Sequence, residues 1–107
     1  MDIAQAAQGF AAMGSESRLQ VLRTLVRAGD TGLPVGDIQS RTGIPASTLA
    51  HHLKFLTAAG LIIPNKQGRS IINAAAFDHL TELAQYITDE CCHDESASDM
   101  QKLEAQS

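Results

Sequence analysis

Apolar positions return every three or four residues over most of the chain, and the stretches between them are short and hold Gly, Pro or Ser. Ile3, Ala6, Ala7, Phe10 and Met13 keep helical spacing and predict a first helix over Ile3–Met13 with a narrow apolar stripe. Gly14-Ser15 interrupts it. Ser15 or Ser17 can cap a second helix that reaches Ala28, with Leu19, Leu22, Leu25 and Val26 turned inward, and Gly29-Asp30-Thr31-Gly32 closes it. Pro34 can open a short third helix with Leu33, Val35 and Ile38 facing the core. Gly43 can end that helix, and Pro45 can sit in the first turn of a fourth, where its missing N–H does no harm. The fourth helix runs to Ala59 on Leu49, Leu53 and Leu56, and Gly60 stops it. Two short helices around a Gly-containing turn have the spacing of a helix-turn-helix.

After Gly60 the period changes. Leu61-Ile62-Ile63 and Ser70-Ile71-Ile72 are strand-like runs around Asn65-Lys66-Gln67-Gly68-Arg69, which predicts a hairpin; Pro64 limits the first strand to an edge or an early stop. From Ala75 the helical period resumes with Phe77, Leu80, Leu83, Ala84, Ile87 and Cys91. Past His93 the chain is polar and acidic, with Met100 and Leu103 only a weak continuation. The pattern therefore predicts one mainly α domain over 1–93, with four helices, a small β-hairpin and a last helix, followed by a disordered acidic tail at 94–107.

Composition adds three constraints. Of 107 residues 44% are apolar but only 4% aromatic, with no Trp and one Tyr, so Leu, Ile, Val and Ala must build the core. Such a short chain has little interior, and helices buried against a second copy are a natural supplement. Met1-Asp2-Ile3 lacks the basic start of an export signal and no apolar run approaches membrane-spanning length, so a cytoplasmic location with reduced thiols is expected. Cys91 and Cys92 are adjacent and cannot staple distant parts of a fold.

The net charge of −4 hides a split. Met1–Ala75 carries seven bases against four acids, a net of +3, whereas one base and eight acids give −7 from Ala76 onward. A basic body with an acidic tail fits a domain that touches DNA, although an acidic tail also simply keeps a protein soluble. On the fourth helix Ser47, Thr48, His51 and Lys54 lie largely opposite the leucines, where short hydroxyls and donors can reach phosphates and base edges. His52 falls beside the leucines and reads as a partly buried structural histidine bonded to backbone. Lys66 and Arg69 flank Gly68 at the hairpin tip, a basic finger placed to hold phosphates or enter the minor groove.

These motifs together resemble the arsenic-repressor (ArsR/SmtB) family of winged-helix metalloregulators. The resemblance covers Met13 to Asn73. It rests on Ser17-Arg18-Leu19-Gln20-Val21-Leu22, on Gly43-Ile44-Pro45-Ala46-Ser47-Thr48-Leu49-Ala50-His51-His52-Leu53-Lys54-Phe55-Leu56, on Ala59-Gly60-Leu61-Ile62 and on Gly68-Arg69. It implies a winged helix-turn-helix homodimer with the Ile3–Met13 and Phe77–Ile87 stripes as dimer seams. It also implies double-stranded operator DNA as partner, two recognition helices about one DNA turn apart on an inverted repeat, and ligand-responsive repression.

The family's effector sites differ in position. One uses cysteines on the helix that starts here at Pro34, but Leu33-Pro34-Val35-Gly36-Asp37 holds no thiol. Another spaces Asp, His, His and Glu along the last helix to hold zinc, a spacing that Asp78, His79, Glu90 and His93 do not keep. Cys91 and Cys92 remain. Helical neighbours point about 100° apart, so both sulfurs meet one ion only where the helix frays or ends. Two thiolates make a soft chelate suited to a thiophilic ion, which implies no permanent cofactor but a trivalent arsenical or soft metal as effector. A third donor for arsenic could be a small thiol, His93, the partner's Met13, or a methyl group already on the arsenic. Cadmium, lead or zinc would need His93, His79 or a carboxylate. The same thiols could sense oxidants or sulfide, or Cys91 could be a small interface hydrophobe. Acidic Glu90, Asp94 and Glu95 should raise the thiol pKa values and favour ion binding over fast oxidation. Two other classes stay open: a winged-helix protein-interaction module without an effector, and a thiol enzyme or metal carrier. No base is arranged for nucleophilic catalysis and no Gly-rich phosphate loop is present, which argues against an enzyme.

Overall fold

Capping chemistry sets the first two helices. The computed structural model describes residues 1–95, and helix α1 spans Ile3–Ala12. Asp2 accepts from the Gln5 backbone N–H at 2.8 Å while the Gln5 side chain accepts from the Asp2 N–H at 3.0 Å, a reciprocal capping box that satisfies two orphan donors. Helix α2 spans Glu16–Ala28, and of the two candidate serines it is Ser15 that caps it, accepting from Arg18 N at 3.1 Å. Its buried side chains are Val21, Leu22 and Leu25. Leu19 and Val26, expected inward, are exposed instead, because the narrow wedge formed by positions 21, 22 and 25 already fills the contact with the helices behind it.

A short strand β1, Leu33–Pro34, precedes helix α3, Val35–Thr42. Leu33 is buried as expected, but from a strand and not from a helix. Helix α4 spans Ala46–Ala58, with Pro45 as its N-cap residue just outside the first turn. Strands β2, Ile62–Gln67, and β3, Ser70–Ala75, form an antiparallel hairpin, and the sheet order is β1-β3-β2. The hairpin is longer than expected: Pro64 pairs with Asn73 and the ladder continues to Gln67 opposite Ser70, leaving Gly68-Arg69 as a two-residue turn. Pro64 is tolerated because β2 is an edge strand and one side of it needs no donor.

Helix α5 spans Phe77–Thr88, so Cys91 lies beyond the helix it was expected to continue. Val21, Leu25, Ile38, Leu49, Leu56, Leu61 and Leu83 are the fully enclosed side chains and draw α2, α3, α4, the hairpin base and α5 into one aliphatic core. Each such burial contributes roughly 1.5–3 kcal/mol. Leu83 meets α1 at Gly9, where an added Cβ would stand 2.8 Å from a Leu83 methyl; the missing side chain lets α1 and α5 touch. Ile3 and Ile87 remain 74% and 67% exposed on those same helices, more apolar surface than the chain covers by itself. No helix among the described residues is long and apolar enough to cross a membrane. Of the tail expected to be disordered over 94–107, residues 94 and 95 are described and belong to the turns after α5, while the rest, with Met100 and Leu103, lies outside the described residues.

Candidate nucleic-acid interface and thiol turn

The joint between α3 and α4 is fixed from both sides. Gly43 takes a left-handed conformation, φ 71° and ψ 9°, and its N–H donates to Gln39 O at 2.8 Å, a turn that a Cβ would strain. The Thr42 hydroxyl donates to Ile38 O at 2.8 Å and accepts from the Ile44 N–H at 3.3 Å, and Ile44 is buried. From that joint α4 buries Leu49, Leu53 and Leu56, which turns Ser47, Thr48, His51 and Lys54 to solvent. All four are exposed on one helix, the arrangement a reading helix needs.

One aromatic on this side escaped the sequence reading. Phe55 is 45% exposed, meets the edge of His51 with ring centroids 4.8 Å apart, and lies under the Arg18 guanidinium at 5.1 Å. Arg18 comes from the first turn of α2, donates to Ala11 O at 3.5 Å, and leaves its Nε buried without a partner among the described residues. The only available signal was a Phe four residues after His51, outside the leucine row; the arginine that covers it arrives through tertiary packing. His52 is half-buried, as expected, but its Nδ1 finds no hydrogen-bond partner among the described residues, so the anticipated backbone bond is not made there by any of them. Burial holds the His52 imidazole pKa below its usual 6.5, and the charges of Arg18 and His51 push it the same way.

The hairpin carries the second basic element. Lys66 pairs across to Ile71 near the end of the ladder and Arg69 occupies the turn, both exposed. Two six-residue strands project this tip by roughly 20 Å.

At the far end of α5 the chain makes a series of tight turns. Cys91 N–H donates to Thr88 O, His93 N–H to Glu90 O and Glu95 N–H to Cys92 O, each at 3.0 Å. Glu90 and Cys92 have φ of 63° and 64°, the left-handed region that L side chains rarely adopt. The helix has ended, the condition under which adjacent sulfurs can meet, and Cys91 Sγ and Cys92 Sγ stand 3.2 Å apart as free thiols. Cys91 is exposed and Cys92 half-buried. The Cys92 pKa is raised above 9.0, chiefly by the hydrogen bond with Cys91, then by burial, by the Cys91 charge and by Glu95. Of the three acids expected to act on the thiols, only Glu95 contributes to this rise.

His79 and Asp78 sit in the first turn of α5, about 15 Å of helix away from Glu90 and His93 beyond its end, so these four do not converge. Among the described residues no three His, Cys, Asp or Glu side chains form a group that could hold a metal ion. The chain alone therefore presents the two sulfurs without His93 as an assembled third donor.

A helix-turn-helix domain family matches residues 13–64. The chain is 35% identical over 80 residues to the HTH-type transcriptional regulator NmtR of Mycobacterium tuberculosis, a match covering 75% of this chain and 64% of that protein. Among solved structures, an ArsR-like transcriptional regulator from Rhodococcus sp. RHA1 is similar with a TM-score of 0.69 and 27% identity, covering 95% of this chain and 89% of that one. A homodimeric winged helix-turn-helix DNA-binding domain from Mycobacterium bovis is similar with a TM-score of 0.65 and 26% identity, covering 83% and 82% of the two chains. The chain spans between 50% and 64% of the length of the curated relatives it matches.

Proposed function

We propose that this chain, with its helix-turn-helix match and its likeness to ArsR-like regulators, is a winged helix-turn-helix transcriptional repressor, not an enzyme. It binds operator DNA as a homodimer and releases it when a thiophilic effector reaches Cys91 and Cys92. The observation that carries the DNA reading is α4, with three leucines buried and Ser47, Thr48, His51 and Lys54 exposed beside a basic hairpin. The exposed Ile3 and Ile87 on α1 and α5 support a seam between two copies.

A trivalent inorganic or organic arsenical is the effector that suits two adjacent thiols best. Each As–S bond forms as a thiol proton leaves with an arsenic hydroxide as water, so the raised Cys92 pKa does not oppose it. A monomethylated arsenical needs no third sulfur. Capture would reset the turns after α5, and α5 bears on α1 through Leu83 and Gly9. A coupling of about 1–3 kcal/mol weakens DNA binding roughly 5- to 150-fold.

An electrophoretic shift assay with a trivalent arsenical tests this reading. Wild type is expected to leave the duplex, while Cys91→Ser/Cys92→Ser stays bound. Equal release of both proteins rejects the thiol sensor. The 3.2 Å sulfur contact favours one second reading, a repressor released by oxidants or sulfide through the same pair. Release by a mild oxidant, reversed by dithiothreitol and indifferent to arsenicals, selects that reading.

A further inference from the structure

Besides Arg18, which covers Phe55, three arginines lie outside the reading helix and the hairpin. Arg23 and Arg27 stand one turn apart on the exposed side of α2, and Arg41 occupies the last turn of α3. With Thr24 they line a groove of about 400 Å³, in which Glu16 is the one acid among the described residues. A second hollow of about 390 Å³ shares Thr24, Arg27 and Arg41 with it, and no acid among the described residues lines that one. The Thr24 hydroxyl donates to Gln20 O at 2.8 Å, which leaves the guanidinium groups and the neutral Gln20 amide as the side-chain donors lining the groove, the arginines alone being charged.

From these features we propose that the groove between α2 and the end of α3 is a second phosphate-binding surface, on which Arg23, Arg27 and Arg41 hold the DNA backbone beside the reading helix. The proposal rests on the DNA reading given above.

Charge, position and chemistry agree. Seven cationic side chains occur in Met1–Ala75, and three of them line this groove. Like charges four residues apart destabilise a helix unless an anion answers them, and Arg23 with Arg27 is such a pair. Arg27 and Arg41 complement the C-terminal ends of their helices, but Arg23 stands mid-helix and gains nothing there. Arg41 precedes the first residue of α4 by five positions, which bounds the separation at roughly 18 Å. A helix seated in a major groove about 12 Å wide has a phosphate chain on either rim, within range of long side chains that close to it. The planar guanidinium fork matches a phosphate in two-bond geometry.

The test is the salt dependence of binding to a duplex selected by the wild-type protein from a random-sequence pool. Arg23→Gln/Arg27→Gln/Arg41→Gln should lower the slope of log K against log salt by about 2–3, since each released phosphate contact removes roughly 0.9. Its choice of sequence should stay that of wild type, since phosphate contacts carry no base information. Its melting temperature should shift little, because the relieved Arg23–Arg27 repulsion and the lost helix-end interactions of Arg27 and Arg41 are small and opposed. An unchanged slope for this variant, while a Ser47/His51/Lys54 triple alanine loses binding, overturns the inference and leaves the DNA reading standing. A shift of the arginine Nε–H signals by millimolar inorganic phosphate with an unchanged slope assigns the groove to a free phosphate ligand, and also overturns it. Wild-type protein without affinity for any duplex overturns both.

Discussion

Helix α4 and the turn after α5 are built on opposite principles. Helix α4 is anchored by Leu49, Leu53 and Leu56 and entered through a joint in which Gly43, Thr42 and Ile44 are each held by a hydrogen bond or by burial. Its exposed side chains are thereby presented on a rigid support, as recognition of a fixed groove demands. The Cys91–Cys92 turn has no buried anchor, runs through two left-handed residues and is held by single backbone bonds. A segment of that kind re-forms around a ligand at little cost, which suits capture but would ruin recognition. On the proposed function, rigidity where DNA would be read and compliance where an effector would be met are thus set by the packing beneath each.

Four experiments stress this contrast, in falling order of effect. Leu49→Ala removes a fully buried anchor of α4 and should lower unfolding free energy by about 2–5 kcal/mol in urea titrations, with DNA binding lost in proportion. Gly9→Ala places a methyl 2.8 Å from the buried Leu83, and this crowding, partly offset by the better helix propensity of alanine, should leave a net cost of about 1 kcal/mol of stability. If it does not, α1 and α5 are less tightly joined than the structure has them.

Acidification gives the third. His52 is held below its usual 6.5 in the fold, so the unfolded chain takes up a proton that the folded one refuses. Stability is therefore complete above about pH 6.5 and declines as pH falls below it, levelling off below the lowered folded value. Melting temperatures measured from pH 7.5 to 5.5 should show a drop that His52→Gln makes shallower; parallel curves would remove His52 as the source. The smallest effect belongs to the compliant end. Cys91→Ser/Cys92→Ser should change stability by less than about 0.5 kcal/mol while abolishing any response to a trivalent arsenical in the same sample.

The reading helix was legible in the sequence because both of its determinants are local. The spacing of Leu49, Leu53 and Leu56 fixes the buried side, and Gly43 with Pro45 fixes the start. The same logic failed on α2, where Leu19 and Val26 fit a helical stripe as well as Val21 does, and only the neighbours decide which are covered. Strand β1 is two residues long and exists only because β3 pairs with it, so no local pattern could announce it. Pro64 left two choices, an edge strand or an early stop, and only the sheet order selects the edge. The Arg18–Phe55 contact joins two helices and is likewise tertiary. At the thiols, adjacency and the loss of helical period were visible. The left-handed φ at Glu90 and Cys92 was not, because no glycine marks it.

The notch that Gly9 leaves for Leu83 has a mechanical meaning. A knob seated in a socket transmits tilt as well as push, so a displacement of α5 would carry α1 with it. Leu83 also belongs to the core that holds Leu49 and Leu56. The same displacement would therefore press on the leucines under α4.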